Sequence, residues 1–366
     1  MSTPICAILL GVWLFVQPWL VWPQLLPDTS HRLTLVALAS GMGLACLCRV
    51  RQAIPLPVRW AGWMACLLGV MVVHQWDVMT TGEYFRFFTE TVVLSDGVLV
   101  VLALAWGLWG LRQLPARWFP LLRWAGLAML VLNAGFMVAQ AGGRRWHLGS
   151  FMPGHLTGVM GLDRALGAYG VAWLPIMLVW QPWASLLCLG LVACSGKFAA
   201  WIGAGVAVCL TKPSWAWGAV PVSLLGACRF GGASFWLSVH QRLDTWWTAL
   251  RASVVHPWVG WGFSPMAVPT MQQQYGYALP SLHSDWLLLV ICGGWPLAIL
   301  TGWLAWQIMR TPSKTAWRRA TRASLLAIAF MSAIQTVASH ARIAGLMLVM
   351  LAWWWMETDQ QTKERA

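Results

Sequence analysis

A single histidine lies at the boundary between a polar segment and a long apolar run. His283 precedes the apolar residues 286–308, with Ser281 or Ser284 placed to cap the helix that they predict and Asp285 suited to its first turn. A helix N-terminus lowers the pKa of a neighbouring imidazole and attracts phosphate. A neutral imidazole beside a bound phosphate is a suitable general base for a hydroxyl group. Anchoring at a membrane surface is the alternative role for this histidine.

Two basic residues are the main candidates for binding an anion beside that histidine. Arg242 can form forked hydrogen bonds with phosphate oxygens, and Lys197 supplies a compact positive charge. Lys197 lies in a Ser-Gly-Lys turn between two apolar runs, where a charge is costly unless it is paired or extends to the membrane surface. For Arg242, an ion pair with Asp244 or a solvated position is the alternative.

Three further residues are candidates for supporting positions around the same site. His256 lies in the polar segment before His283, while His340 and Arg342 fall between the last two apolar runs. Anchoring of helix ends is the alternative for His340 and Arg342. The sequence contains no P-loop, no dinucleotide-binding glycine motif and no zinc-protease motif, and its nine cysteines form no C-x-x-C pair. We therefore expect neither a metal nor a cofactor.

The composition predicts an all-α, polytopic integral membrane protein. Apolar residues make up 59% of the 366 residues and charged residues only 10%, whereas a soluble domain has roughly 25% charged residues. About twelve transmembrane helices are expected, in one transmembrane domain over residues 1–366. The apolar runs lie near residues 5–22, 33–48, 60–76, 92–111, 121–140, 165–180, 184–195, 198–211, 215–227, 286–308, 323–338 and 343–356.

The distribution of charge between the connecting segments predicts the orientation in the membrane. Segments 49–59, 112–123, 212–214 and 309–322 carry basic residues and no acidic ones, whereas most acidic residues lie in the alternate segments. The positive-inside rule then places both termini in the cytoplasm and the long segment 226–285, with short amphipathic helices, outside. An even number of crossings requires 184–195 and 198–211 to be separate spans, joined by an external turn at residues 194–197. The net charge of +13 is explained by this topology, so no nucleic-acid partner is expected.

Several stretches in the second half of the chain resemble one family. SGKFAAWIGAGVAV at 195–208 is similar to a turn and following helix of the O-antigen ligase and O-antigen polymerase superfamily of bacterial membrane glycosyltransferases. The glycine-rich stretch at 151–178 resembles the family's lead into a central span. RLDTWWTALRASVVHPWVGWGFSP, followed by LHSDWLLLVICGGWPLAIL, resembles its Arg…Trp, Pro-x-x-Gly-x-Gly-Phe and His-Asn-x-x-Leu elements in order. The resemblance covers roughly residues 150–308.

The resemblance implies transfer of a glycan from undecaprenyl diphosphate to an acceptor hydroxyl at the periplasmic face of the bacterial inner membrane. His283 would activate the acceptor, and Arg242 with Lys197 would bind the donor diphosphate. Lys197 stands where the family usually has Arg, and Ser284 where Asn is common. The acceptor would be lipid A core, a growing glycan or a protein, so both a ligase and a polymerase remain open. A transporter or channel for an anionic solute is the alternative from another class.

We expect Lys197, Arg242 and His283 to converge on one external cavity that opens sideways to the lipid. Their polar ends should lie within about 10 to 12 Å of a common point, because a diphosphate and one sugar must fit among them.

Overall fold

The computed structural model describes residues 119–142, 156, 160, 163–231, 234–261, 282–313 and 315–337, with scattered residues between 343 and 354. All regular secondary structure in these residues is helical, in agreement with the predicted all-α class. The four apolar runs predicted before residue 112 lie outside the described residues. The helices are α1 (Phe119–Ala141), α2 (Asp163–Trp180), α3 (Ser185–Cys194), α4 (Phe198–Thr211), α5 (Ala216–Gly231), α6 (Ser234–Ser253), α7 (Asp285–Arg310) and α8 (Ala316–Ile334).

Two of the described helices are long and apolar enough to cross a membrane. They are Arg123–Ala141 within α1 and Asp285–Arg310, which is α7. Pro182–Cys194 and Phe198–Thr211 are apolar but shorter. A perpendicular span needs roughly 17–25 residues, so the number of crossings expected from the sequence stays a prediction.

Helix α2 forms the centre of the described bundle. Nearly all of its residues are buried, including Leu166, Leu174 and Ile176. The largest of them, Trp173, packs against Gly126 of α1, where a Cβ atom would overlap the indole ring. Close packing of large and small residues of this kind is the usual way in which apolar helices approach one another.

The glycines of α2 also establish the directions of its neighbours. Gly170 contacts Leu191 and Gly167 contacts Ser195, so α3 runs antiparallel to α2. Gly167 also contacts Ala200 while Val171 lies beside Gly203, so α4 runs parallel to α2. As a result, the N-termini of α2 and α4 lie at the same end of the bundle as the C-terminus of α3. The predicted alternation of spans would produce the same arrangement.

A break separates α3 from α4 at the position where an even number of membrane crossings requires two separate helices. α3 ends at Cys194 and α4 begins at Phe198, with Gly196 between them at a φ of 61°. Glycine adopts this left-handed conformation without the steric cost that a Cβ atom would impose. The prediction of two separate helices is therefore confirmed.

The segment predicted as a loop with short amphipathic helices differs from that description. α6 is a single helix of 20 residues, and α5 extends to Gly231. Thr245, Ala249 and Ala252 are buried at spacings of three and four residues, which gives α6 one continuous packed face. This packing against α7, rather than local propensity alone, accounts for its length.

The other end of the bundle carries arginines among tryptophans. The Arg123 guanidinium lies 4.2 Å from the ring centre of Trp317 and 5.7 Å from that of Trp180. Arg318 is buried and lies 5.8 Å from the ring centre of Trp354. Both arginines belong to segments whose charge predicts a cytoplasmic position.

Candidate anion-binding and proton-transfer site

Three helix N-termini and two helix C-termini, those of α3 and α8, meet at one end of the described bundle. α2 and α4 contribute two of the N-termini, as described above. The third belongs to α7, which is joined to the end of α8 because the Asp285 carboxylate accepts a hydrogen bond from the backbone nitrogen of Val337 at 2.8 Å. Helix N-termini carry partial positive charge, so this end of the bundle favours a bound anion.

His283 lies immediately before α7, in an unusual backbone conformation. Its φ of 50° is left-handed, a region in which histidine and asparagine are tolerated better than most residues. Ser284 caps α7, and its hydroxyl accepts a hydrogen bond from the backbone nitrogen of Leu287 at 3.2 Å, so one of the two predicted caps is confirmed. Trp246 of α6 holds the segment from the other side, donating from its indole nitrogen to the carbonyl of Leu282 at 2.9 Å.

The environment of His283 lowers its pKa to about 4. Burial is the largest cause, followed by the positive charges of Arg242, Arg164 and Lys197. The direction agrees with the expectation from the sequence, although that expectation relied on the helix dipole. At neutral pH the imidazole is therefore uncharged and able to accept a proton.

Two contacts of its guanidinium, one through Nη1 and one through its face, hold Arg242 at the site. Nη1 donates to the carbonyl oxygen of Ile334, the last residue of α8, at 2.7 Å. The same group lies 4.8 Å from the ring centre of Phe198, the first residue of α4. Burial lowers the pKa of Arg242, which shows that its charge is partly removed from water. A bound anion would offset that cost.

Lys197 is held by an ion pair on the same side of the bundle. Its Nζ lies 2.8 Å from Oδ2 of Asp163, whose side chain is only 11% exposed, while the Lys197 side chain is 35% exposed. The other oxygen of Asp163 accepts a hydrogen bond from the backbone nitrogen of Arg164 at 2.6 Å. The lysine is thus paired, as a charge between two apolar runs requires.

The structure thus brings His283, Arg242 and Lys197 to one end of the bundle, close enough for both cations to act on the imidazole. The predicted common point within about 10 to 12 Å, and the sideways opening to lipid, remain predictions. His256 lies elsewhere: it packs edge-on against Trp261 with ring centres 4.9 Å apart, in a turn that contacts the middle of α7. His340 and Arg342 lie outside the described residues.

Arg164 and the ion-pairing role of Asp163 were not predicted from the sequence. Arg164 precedes an apolar run on the side that the positive-inside rule predicts to be external, which is the same signal that distinguished Lys197. Applied to every basic residue of the predicted external face, that criterion would have identified it. The pairing of Asp163 with Lys197 depends on the antiparallel return of α3, which single-sequence spacing does not specify.

No protein-family model matches this chain, and no curated protein matches it. Among the described residues, no group of three or more His, Cys, Asp or Glu side chains is arranged to hold a metal ion. What the described site contains is a neutral imidazole, three nearby cations and converging helix N-termini. These groups can bind an anionic group and accept a proton beside it.

Proposed function

We propose that this chain is a membrane glycosyltransferase similar to O-antigen ligases. It would transfer a glycan from undecaprenyl diphosphate to an acceptor hydroxyl at the periplasmic face of the bacterial inner membrane. The observation that supports this most directly is the placement of neutral His283 among the charges of Arg242, Arg164 and Lys197. A base next to a cationic site is what transfer from a diphosphate-linked donor requires.

The proposed reaction is a direct displacement at the anomeric carbon. The acceptor hydroxyl gives its proton to the imidazole of His283 while its oxygen forms a bond to the anomeric carbon. The bond between that carbon and the diphosphate oxygen breaks, and its electron pair leaves with the diphosphate. Attack from the face opposite the leaving group inverts the anomeric configuration. Diphosphate is a good leaving group, so the site must supply charge neutralisation and a positioned base.

In this proposal, Arg242 and Lys197 bind the donor diphosphate. Arg242 retains guanidinium donors beyond the one that bonds Ile334, and arginine suits phosphate oxygens because its donors form a planar fork. The partial positive charge at the N-termini of α2, α4 and α7 adds to that of the side chains. Because the guanidinium is partly buried, its interaction with an anion is less screened than at a free surface.

Donor binding also raises the pKa of the proposed base, His283. An imidazole with a pKa of about 4 is uncharged at neutral pH but has little affinity for a proton. The negative charges of a bound diphosphate oppose the positive charges that surround His283, so the pKa rises in the donor complex. The imidazole thus becomes a stronger base only when the leaving group is in place.

The same site suits several acceptors. Lipid A core, a growing glycan or a protein each offers a hydroxyl to the base, so the proposal includes both ligase and polymerase forms. A deletion strain separates them. Accumulated lipid-linked polymer indicates a ligase, whereas loss of long chains with single repeats still attached indicates a polymerase.

Purified protein tests the proposed reaction directly. Incubation with an undecaprenyl-diphosphate glycan and an acceptor should release undecaprenyl diphosphate, and His283→Asn should abolish most of that release. Asparagine accepts the left-handed backbone conformation at this position, so the fold should be retained. His240→Asn is the matched control, because His240 is an exposed histidine two residues from Arg242 on α6. Uptake of an anionic solute into vesicles without any release of lipid diphosphate would contradict the proposal and favour a transporter.

A further inference from the structure

We propose that Arg164 is a second arginine ligand of the donor and determines the preference of the site for a lipid-linked diphosphate over a monophosphate. This inference rests on the proposed function, since it assigns a role within the same anion-binding site. No role was expected for Arg164 from the sequence. Arg164 lies in the first turn of α2, and this turn determines its position.

The first turn of α2 lies directly beside the other cationic residues. Gly167, three residues after Arg164, is in close contact with Ser195 and Ala200, which flank Lys197 and Phe198. Phe198 in turn lies under the Arg242 guanidinium. Arg164 is therefore carried on the helix end that packs against the turn preceding α4. The charge of Arg164 acts on His283 at this end of the bundle.

The two neighbouring cations differ in how their charges are compensated. Lys197 forms an ion pair with Asp163. Within the part of the chain that the structure describes, the Arg164 guanidinium has no carboxylate partner, and the contact between Asp163 and Arg164 is to the arginine backbone nitrogen. The charge of Lys197 is thus offset by Asp163, whereas Arg164 brings a positive charge from α2 that no carboxylate of the described residues offsets.

Arg242 and the Asp163-paired Lys197 together supply less net positive charge than two phosphate groups require. Arg242 already uses Nη1 to bond Ile334 and is fixed over Phe198, so part of its hydrogen-bonding capacity is not available to a ligand. A diphosphate diester carries two negative charges on two adjacent phosphate groups. Arg242 and Arg164 together supply two matching positive charges from different helices, one for each phosphate. A lipid monophosphate would engage only one of them.

Binding of defined lipids to the purified full chain tests this role. The probes are undecaprenyl diphosphate and undecaprenyl monophosphate, each titrated into detergent-solubilised protein. We expect Arg164→Ala to raise the Kd for the diphosphate by about 10- to 100-fold while changing the Kd for the monophosphate far less. Arg164→Lys should be intermediate because it retains the charge but loses the planar fork. Arg251→Ala is the control, since Arg251 is an exposed arginine stacked on Trp247.

The melting temperature shows whether the variant keeps its fold, and the pKa of His283, measured by NMR without any lipid, shows whether the charge of Arg164 acts at the site. Loss of a neighbouring positive charge should raise this pKa in Arg164→Ala, whatever the site binds. If that rise occurs and the diphosphate preference is unchanged, Arg164 is not a donor ligand, while the proposed function stands. If wild-type protein binds neither lipid, the proposed function itself is wrong. Should Arg164→Ala fail to fold, an unchanged preference in Arg164→Lys overturns the inference in its place.

Discussion

The backbone nitrogen of Trp295 donates its hydrogen bond to the carbonyl oxygen of Pro257, 2.9 Å away, and not to Ile291 four residues earlier in α7. The carbonyl oxygen of Ile291 instead accepts a hydrogen bond from the backbone nitrogen of Trp261 at 2.6 Å. In a regular helix the nitrogen of Trp295 would bond the carbonyl of Ile291. Here both groups bond the segment that follows α6 instead. α7 is broken between them at Gly294, whose φ is 71°.

This exchange of backbone bonds links the two elements that carry the candidate site. α6 carries Arg242, and the first part of α7 follows His283. The turn that ends α6 is anchored in the break of α7, where a Cβ atom on Gly294 would lie 2.7 Å from the backbone of Trp258. The break is therefore one of the contacts that join the helix carrying Arg242 to the helix that follows His283.

Gly294→Ala should destabilise the protein by about 2 kcal/mol or more and lower its activity. The left-handed backbone is unfavourable for alanine, and the added Cβ would collide with backbone that cannot move freely. Thermal unfolding of the purified variant measures the first effect. Gly302→Ala, in the same helix, is the matched control: a Cβ there meets only the Trp286 ring at 3.7 Å, so it should be neutral or stabilising by up to about 1 kcal/mol. Equal melting temperatures for the two variants would show that the break tolerates a side chain.

The break in α7 was not predicted from the sequence, whereas other features of the fold were. The cap at Ser284 follows from local signals, and the separate helices joined by the turn at Gly196 follow from the parity of membrane crossings; both features are present. Gly293 and Gly294 followed by Trp295 and Pro296 are equally local breaking signals, but the apolar pattern of 286–308 predicts one continuous span. The length of α6 and the pairing of Lys197 could not be obtained in this way, since both depend on contacts between segments distant in the sequence.

His283→Asn should lower turnover by about 10² to 10⁴ while leaving donor affinity nearly unchanged. The variant loses the proton acceptor but keeps the neighbouring cations and a residue that tolerates a φ of 50°. His283→Ala should show the same loss of turnover with an added cost of about 1 kcal/mol in stability, because alanine is less tolerant of that conformation. Single-turnover kinetics and lipid titration measure the two quantities. Wild-type turnover in His283→Asn would mean that another group accepts the proton.

Arg242→Gln should weaken donor binding and slow the reaction together. Arg242 is expected to contact the diphosphate both in the bound donor and in the transition state, so kcat/KM falls by more than kcat. Glutamine keeps an amide donor for the Ile334 carbonyl, which limits damage to the packing of α8. Arg242→Lys restores the charge and should recover part of the affinity. A variant with normal donor affinity and lowered stability would identify Arg242 as a purely structural link.

Changes to the Lys197–Asp163 pair should keep or raise the affinity for the donor, whereas Arg242→Gln should lower it. Lys197→Arg should be tolerated, because arginine keeps both the charge and the ability to pair with Asp163. Asp163→Asn removes a negative charge from the site while retaining an oxygen that can accept from the Arg164 backbone nitrogen. Donor affinity should therefore rise several-fold, with a stronger dependence on salt. Lower affinity in Asp163→Asn would mean that the ion pair orders the turn that binds the donor.

The pH dependence of the reaction tests the link between donor binding and the base. In the free protein His283 has a pKa of about 4, so the acidic limb of kcat/KM should lie near that pH. Arg242, Arg164 and Lys197 face the imidazole from α6, α2 and the turn before α4. The carboxylate of Asp285, on its own helix, is hydrogen-bonded to Val337.

A bound diphosphate adds negative charge opposite these cations and raises the pKa of His283. The acidic limb of kcat, which reports the donor complex, should consequently lie at a higher pH than that of kcat/KM. Arg242→Gln should move the limb of kcat/KM upward as well, because one of the charges that lower the pKa of His283 is lost. Both profiles can be measured with one acceptor at saturating and limiting donor. If the two limbs coincide, donor binding does not control the base. If the limb persists in His283→Asn, the titrating group is not this histidine.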